Sequence, residues 1–280
     1  AALSLSFIIV NSIDLLASEY LKHEQLYRSG LAEITNLEFD NLQKELQRLA
    51  PDHPVFRVVE SGRKLLSLGN QPVESWLEKI PANTDFIVQP KIDGVALALR
   101  YVDGKLAKAW TRKGTDKTER IRLVEDIPEI LWHVDKVNPH GSIFEIRGEL
   151  FAPRCDPAQS QRLAAGFLRK KCPKDAEGLS FAAFEILNGS VEEFPTEKDV
   201  LESLAQWCFE HPLTWEVPYR EKENIRHLHN LWLDGQFHNH QYPSDGIVVK
   251  IKDRKIQKKL GSSSVCPFWA LAIKETWKTN

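Results

Sequence analysis

Apolar positions recur along the chain with two different periods, and the change of period divides it. From about Asn11 to Ala50, Leu15, Leu16, Tyr20, Leu21, Leu26 and Tyr27 fall near helical spacing, which predicts an amphipathic helix. Ser12 is placed to cap it and Gly30 to break it. A second helix follows. Thr35 is its cap, Glu38 stands three residues on as a capping-box partner, and Phe39, Leu42, Leu46 and Leu49 line one face. Pro51, His53 and Pro54 end it. The pattern predicts a small helical hairpin.

After about Glu60 the pattern shortens toward alternation. Phe86-Ile87-Val88 is a short apolar run, and Val95 to Tyr101 alternates. Asp103-Gly104 is a strong hairpin turn leading into a strand from Leu106 to Thr111. Further strands are expected at Ser142–Phe151, Leu179–Ile186, Gly246–Ile251 and Leu271–Lys274, with Glu145, Arg147 and Glu149 on one face of the first of these. Helices are expected at Glu197–Phe209 and Glu221–Leu233, and Ala165–Arg169 reads as irregular. Antiparallel hairpins in mixed order with helices predict an α+β fold rather than a doubly wound sheet.

Composition changes this picture little. The chain has 280 residues, 42% hydrophobic and 27% charged, with a formal net charge of −2. A protein that reads nucleic acid is often basic overall. Here any such contact has to come from local patches such as Arg169-Lys170-Lys171 and the stretch from Lys250 to Lys259, each of which reads equally as a solvated face. Cys155, Cys172, Cys208 and Cys266 show no C-x-x-C spacing, so neither a zinc site nor a disulfide framework is implied, and a reducing, cytoplasmic setting is expected. Ala1 to Val10 is apolar but short and reads as the start of a helix, and no stretch is long enough to cross a bilayer. No methionine occurs, where several are expected at ordinary usage.

The candidate chemistry begins at Lys91, in Gln89-Pro90-Lys91-Ile92-Asp93-Gly94. A lysine amine attacks only as the free base, which burial and neighbouring cations favour. Attack on phosphorus also needs the phosphate charge offset and the leaving group in line. Such a lysine therefore predicts cations and carboxylates converging from distant strands. K-x-D-G at Lys91, T-R at Arg112, R-G-E at Glu149, D-G-I-V-V-K from Asp245 to Lys250, and W-A-L-A-I-K ending at Lys274 supply them in order. Singly, each has an ordinary structural reading: a turn, an edge-strand charge, a lysine in water. Their order in one chain is the stronger signal.

That series resembles the covalent nucleotidyltransferases, the DNA ligases, RNA ligases and mRNA capping enzymes, and more narrowly the bacterial NAD-dependent DNA ligases. The narrowing rests on Glu33 to Leu46, on Leu65-Leu66-Ser67-Leu68-Gly69-Asn70, and on Asp245 to Trp269. Gln89-Pro90-Lys91 and Ala165–Arg169 look nearest the second, shorter bacterial form. The resemblance implies a nucleotidyltransferase fold of antiparallel sheets flanked by helices over 59–280, a helical nicotinamide mononucleotide (NMN)-binding subdomain over 1–58, and an OB-fold and later domains that this chain lacks.

It implies that Lys91 forms lysyl-AMP from NAD, with Asp93 and Gly94 shaping the loop beside it. Ser67 and Leu68 would lie near the adenosine, Arg112 and Glu149 would contact the nucleotide, and Phe184 would stack on adenine. Gln89, Ile92 and Asp245 would belong to the nucleotide site, Lys250 and Lys274 would neutralise the α-phosphate with Mg²⁺, and Tyr27 and Asp40 would hold the NMN leaving group. Nicked double-stranded DNA is the implied partner of a monomeric, membrane-free, self-adenylating fragment that is weak in sealing. The chain departs from the pattern at Gln89, where an acid is usual, at Arg28, Asn36, Phe39 and Phe268, and in Lys113-Gly114-Thr115-Asp116 after Arg112. Three other readings stand beside this one: an ATP-dependent ligase or capping-type guanylyltransferase, a degenerate nucleic-acid-binding module, and a plain α+β domain with chance motifs.

Overall fold

The computed structural model describes residues 13, 15–20, 22–23, 33–50, 65–69, 71–130, 143–170, 176, 178–236, 242–263 and 265–274, without the side chains of 36, 37, 39, 40, 43 and 47. The capping box forms as the sequence predicts. The helix Asn36–Leu49 starts at Thr35, whose hydroxyl accepts from the Glu38 amide at 3.3 Å while the Glu38 carboxylate accepts from the Thr35 amide at 2.8 Å. Leu46 is buried against Ala17 and Tyr20, which belong to the preceding helical stretch, so this pair of helices has a core of its own. Leu49, expected on that buried face, is instead exposed at the last turn.

Among the described residues eight strands form two four-stranded sheets. One sheet runs β6 (Trp215–Val217), β1 (Phe86–Ile92), β7 (Ser244–Ile251), β8 (Ala270–Lys274). The other runs β3 (Lys105–Thr111), β2 (Val95–Val102), β4 (Ile143–Phe151), β5 (Ser180–Ile186). Every strand pairing within them is antiparallel, as the α+β reading requires.

Each sheet buries one face. On the first, Phe86, Val88, Ile247, Val249, Ile251, Leu271 and Ile273 pack with Trp76, Ile225, Leu228 and Trp232 from the helices Val73–Leu77 and Asn224–Leu233. On the second, Leu97, Leu99, Ile146, Leu150 and Phe181 pack with Ala164, Phe167 and Leu168 of the helix Pro157–Arg169, and with Val200 and Leu204 of the helix Glu197–Gln206. Period-two alternation then turns the remaining positions of both sheets toward one another, and the space between them is a cleft of about 1180 Å³. The hydrophobic patterning thus places the site, because what is left over from two apolar faces is a polar gap between them.

Several elements differ from the sequence reading. Ala165–Arg169 is not irregular but the last turns of Pro157–Arg169, capped by Asp156 and carrying proline in its first turn, with Gly166 tolerated inside. The basic run after Lys250 contains a helix, Arg254–Leu260, capped by Asp253. The helices expected to end at Phe209 and to begin at Glu221 run only to Gln206 and from Asn224. Strand β1 extends past its apolar run through Lys91, with Pro90 where the pairing to β7 shifts register. No described helix is long and apolar enough to cross a membrane.

Candidate active site

Lys91 lies on β1, two residues beyond Gln89 and on the same face, away from the Phe86–Val88 core. Gly94 opens β2's approach to β4 immediately after it. A Cβ at Gly94 would stand 2.1 Å from the Leu150 carbonyl oxygen, so only glycine lets the lysine loop pass this close to the second sheet. The loop is also pinned by Ser160, whose hydroxyl donates to the Asp93 carbonyl at 2.8 Å and accepts from the Ala152 amide at 3.0 Å. At the far end of the site Gly246 has φ of 155°, and a Cβ there would meet the Ile273 carbonyl oxygen at 2.1 Å. Asp93-Gly94 and Asp245-Gly246 therefore mark close backbone crossings rather than plain turns.

The lysine amine is not in open solvent. Lys91 Nζ donates to Asp245 Oδ1 at 2.6 Å, and the other carboxylate oxygen pairs with Lys274 Nζ at 2.8 Å. Burial works to raise the Asp245 pKa, but the hydrogen bonds from Lys274 and Lys91 outweigh it and hold the carboxyl below its ordinary range. Asp93 responds the other way: burial and the nearby Asp245 charge push it up.

Lys250 stands on β7 opposite Ile87 and faces the same cleft. Its ammonium donates to the Phe184 carbonyl at 3.1 Å and pairs with Glu197 at 3.2 Å.

The second sheet presents a different set. Glu149 is half-buried on β4, and its pKa is pushed up to about 8 by burial against the opposing pull of Arg147 and Lys91. Phe184, half-buried on β5, has the Arg147 guanidinium 5.8 Å and the Lys250 ammonium 5.4 Å from its ring centroid. Arg147 also donates to the Leu66 carbonyl at 2.7 Å.

That contact ties down the loop 65–69, which crosses the cleft. Ser67 accepts from Arg112 at 3.0 Å, the Ser67 amide donates to the Val265 carbonyl at 2.9 Å, and Gly69 pairs with Leu271 of β8.

The structure thus brings Ser67, Leu68, Gln89, Lys91, Ile92, Asp93, Gly94, Arg112, Glu149, Phe184, Lys250 and Lys274 around one cleft, with Asp245 bridging two of its lysines. Gln89 is buried and donates to Thr214 at 2.9 Å. The Ile92 side chain belongs to a satellite apolar cluster with Phe151 and Ala182, and the residue also lines the cleft. Tyr27 and Arg28 lie outside the described residues. Asp40, Asn36 and Phe39 fall on the helix Asn36–Leu49 with side chains that are not described.

Sequence reasoning missed Arg147, Ser160, Thr214, Glu197 and Gln257. Arg147 had a signal, since it heads the R-G-E triplet. Glu197 had none, because an acid one residue after a threonine cap is ordinary helix chemistry.

A family model described as the NAD-dependent DNA ligase adenylation domain matches residues 54–161 and 154–276. A DNA ligase of Endomicrobium trichonymphae is 30% identical over 315 residues, which cover 95% of this chain and 46% of that protein. A DNA ligase of Corynebacterium aurimucosum is 30% identical over 305 residues, 92% of this chain and 44% of that one. The chain thus spans a little under half the length of these relatives. The solved ATP-dependent DNA ligase from bacteriophage T7, in complex with ATP, overlaps with a TM-score of 0.41 at 15% identity, over 78% of this chain and 69% of that chain.

Proposed function

The chain belongs to the family of NAD-dependent DNA ligase adenylation domains, and from that premise we propose that Lys91 takes AMP from NAD as a covalent lysyl adenylate. The observation that carries this reading is the Asp245 carboxylate shared between the Lys91 and Lys274 ammonium groups at the floor of the cleft. It orients the nucleophile and holds a second cation beside it.

In the proposed step Lys91, oriented by the Asp245 carboxylate, gives its proton to water and reacts as the free amine. The freed lone pair forms a nitrogen–phosphorus bond to the α-phosphate of NAD. The bond from that phosphorus to the bridging oxygen breaks, and the electron pair leaves with nicotinamide mononucleotide. Lys274 and Lys250 offset charge on the remaining phosphate oxygens. Glu149 would meet the ribose hydroxyls, Phe184 would stack on the base, and Ser67, Leu68, Gln89, Ile92, Asp93, Gly94 and Arg112 would shape the rest of the nucleotide site. Tyr27 and Asp40 would hold the leaving nucleotide from a helical subdomain over 1–58. The separate core around Leu46 and a family match that begins at residue 54 support that division.

Mg²⁺ is the other expected cofactor. No group of three or more His, Cys, Asp or Glu side chains able to hold a metal occurs among the described residues. An ion of this kind is commonly held by one or two carboxylates and the substrate phosphates. Its contribution when bound would be charge neutralisation at the phosphates. The AMP would pass next to the 5′-phosphate at a nick in double-stranded DNA.

Incubation with NAD labelled in its adenylate half should leave label on the protein, and Lys91→Ala should remove it entirely. Label retained in that variant overturns the assignment. ATP and GTP, tried as donors in parallel, should leave none.

A further inference from the structure

Behind the cleft wall lies an ion pair that the step above does not explain. Lys250 and Glu197 are both buried, with side chains 7% and 3% exposed, and come from different elements, β7 and the first turn of the helix Glu197–Gln206. We propose that Glu197 is a positioning residue for adenylyl transfer, fixing the Lys250 ammonium so that one N–H is left aimed into the cleft. This inference rests on the reading given under Proposed function.

The geometry carries it. An ammonium has three N–H donors in tetrahedral array. Lys250 Nζ gives one to the Phe184 carbonyl at 3.1 Å and one to Glu197 Oε2 at 3.2 Å. Fixing two of the three directions fixes the third, on a side chain that otherwise has four rotatable bonds. Lys250 lines the cleft, so the remaining donor has the cleft to point into.

Glu197 is itself held. Its other oxygen accepts from Gln257 Nε2 at 2.8 Å, and the same amide nitrogen donates to the Ile251 carbonyl at 2.6 Å. The Glu197 amide donates to the Lys252 carbonyl at 2.9 Å. The segment leaving β7 thus orients the carboxylate through Gln257 and the Lys252 carbonyl, and the carboxylate orients a lysine of β7. Stability alone is a weak reason for such an arrangement, since a buried ion pair often does no better than a well-packed apolar pair.

The test is single-turnover self-adenylation by the full chain, with NAD labelled in the adenylate half. Glu197→Ala and Glu197→Gln should slow label uptake at saturating NAD by up to about 100-fold, the range expected when a catalytic group is misplaced by an ångström. The apparent KM for NAD should move much less. In a Lys250→Ala background Glu197→Ala should add nothing, because the group it orients is gone. Wild-type rates in a folded Glu197→Ala variant overturn the proposal, and so does an equal slowing in both backgrounds.

A second readout needs no activity. The Lys250 side-chain NMR signal, assigned by its loss in Lys250→Ala, should shift in Glu197→Gln, and an unmoved signal overturns the proposal. If the wild-type chain takes no label, the adenylation reading falls, and this signal alone decides whether Glu197 holds the lysine.

Discussion

The two sheets share strand number, antiparallel pairing and a single apolar face, and they differ in what they turn toward the cleft. The sheet of β1, β7 and β8 presents three lysines, each tied to a carboxylate: Lys91 and Lys274 to Asp245, and Lys250 to Glu197. The sheet of β2, β4 and β5 presents Glu149, Arg147 and the Phe184 ring. The first set suits a phosphate that gathers charge, and the second suits a nucleoside with hydroxyls and a flat base. The backbone plan is common to both, so the division of labour comes from side chains at alternate positions.

This contrast can be broken from either side. The largest effect should come from Asp245→Asn, which removes the charge joining two lysines. Label uptake should fall roughly 100-fold, the loss expected when a reacting group is misplaced by an ångström, and an unchanged rate would show that the shared carboxylate is only structural. Next is Gly94→Ala, which pushes the lysine loop off β4 where a Cβ would overlap the Leu150 carbonyl. It should cost about 1–3 kcal/mol in urea unfolding, the usual price of overpacking.

Phe184→Ala should act on the other side of the cleft. The apparent KM for NAD should rise about tenfold, in line with roughly 1–3 kcal/mol for stacking a base on an aromatic ring, while the maximal rate changes little. A fall in rate with KM unmoved would assign the ring to the chemistry instead.

The last test concerns Glu149. Its folded pKa is raised from 4.5 to about 8, so between those values the unfolded chain ionises first and stability falls as pH rises. Glu149→Gln should remove this contribution. Its stability relative to wild type should rise across that window and level off above it, as read from thermal unfolding in a pH series.

Local chemistry was what the sequence displayed best. Thr35 and Glu38 announced a capping box, and Asp103-Gly104 announced a turn that the structure builds with φ of 49° and 77°. Most strands with one apolar face were legible within a residue or two, but β1 was read only to Val88 and the three-residue β6 was not read at all. Helices whose cues conflicted were not: Gly166 masked the end of Pro157–Arg169, and the lysines of Arg254–Leu260 read as a solvated run. The five motif segments marked the cleft because each carries chemistry at a strand end. The contacts between them were hidden, since nothing local to Lys91 says that its partner is 154 positions away. Glu197 was hidden for the same reason, 53 positions before the lysine it meets.

The loop 65–69 is fastened unequally at its two margins. Toward β8 it is held by main-chain hydrogen bonds from Ser67 to Val265 and from Ala272 to Gly69, which only proline among the replacements removes. Toward the other sheet it is held by two guanidinium groups, Arg112 on Ser67 and Arg147 on the Leu66 carbonyl. Any widening of the gap must part the loop from those arginines and leave it riding with the lysine-bearing sheet. An anion that enters competes for the same two guanidinium groups, so occupancy of the gap and its breadth are mechanically coupled.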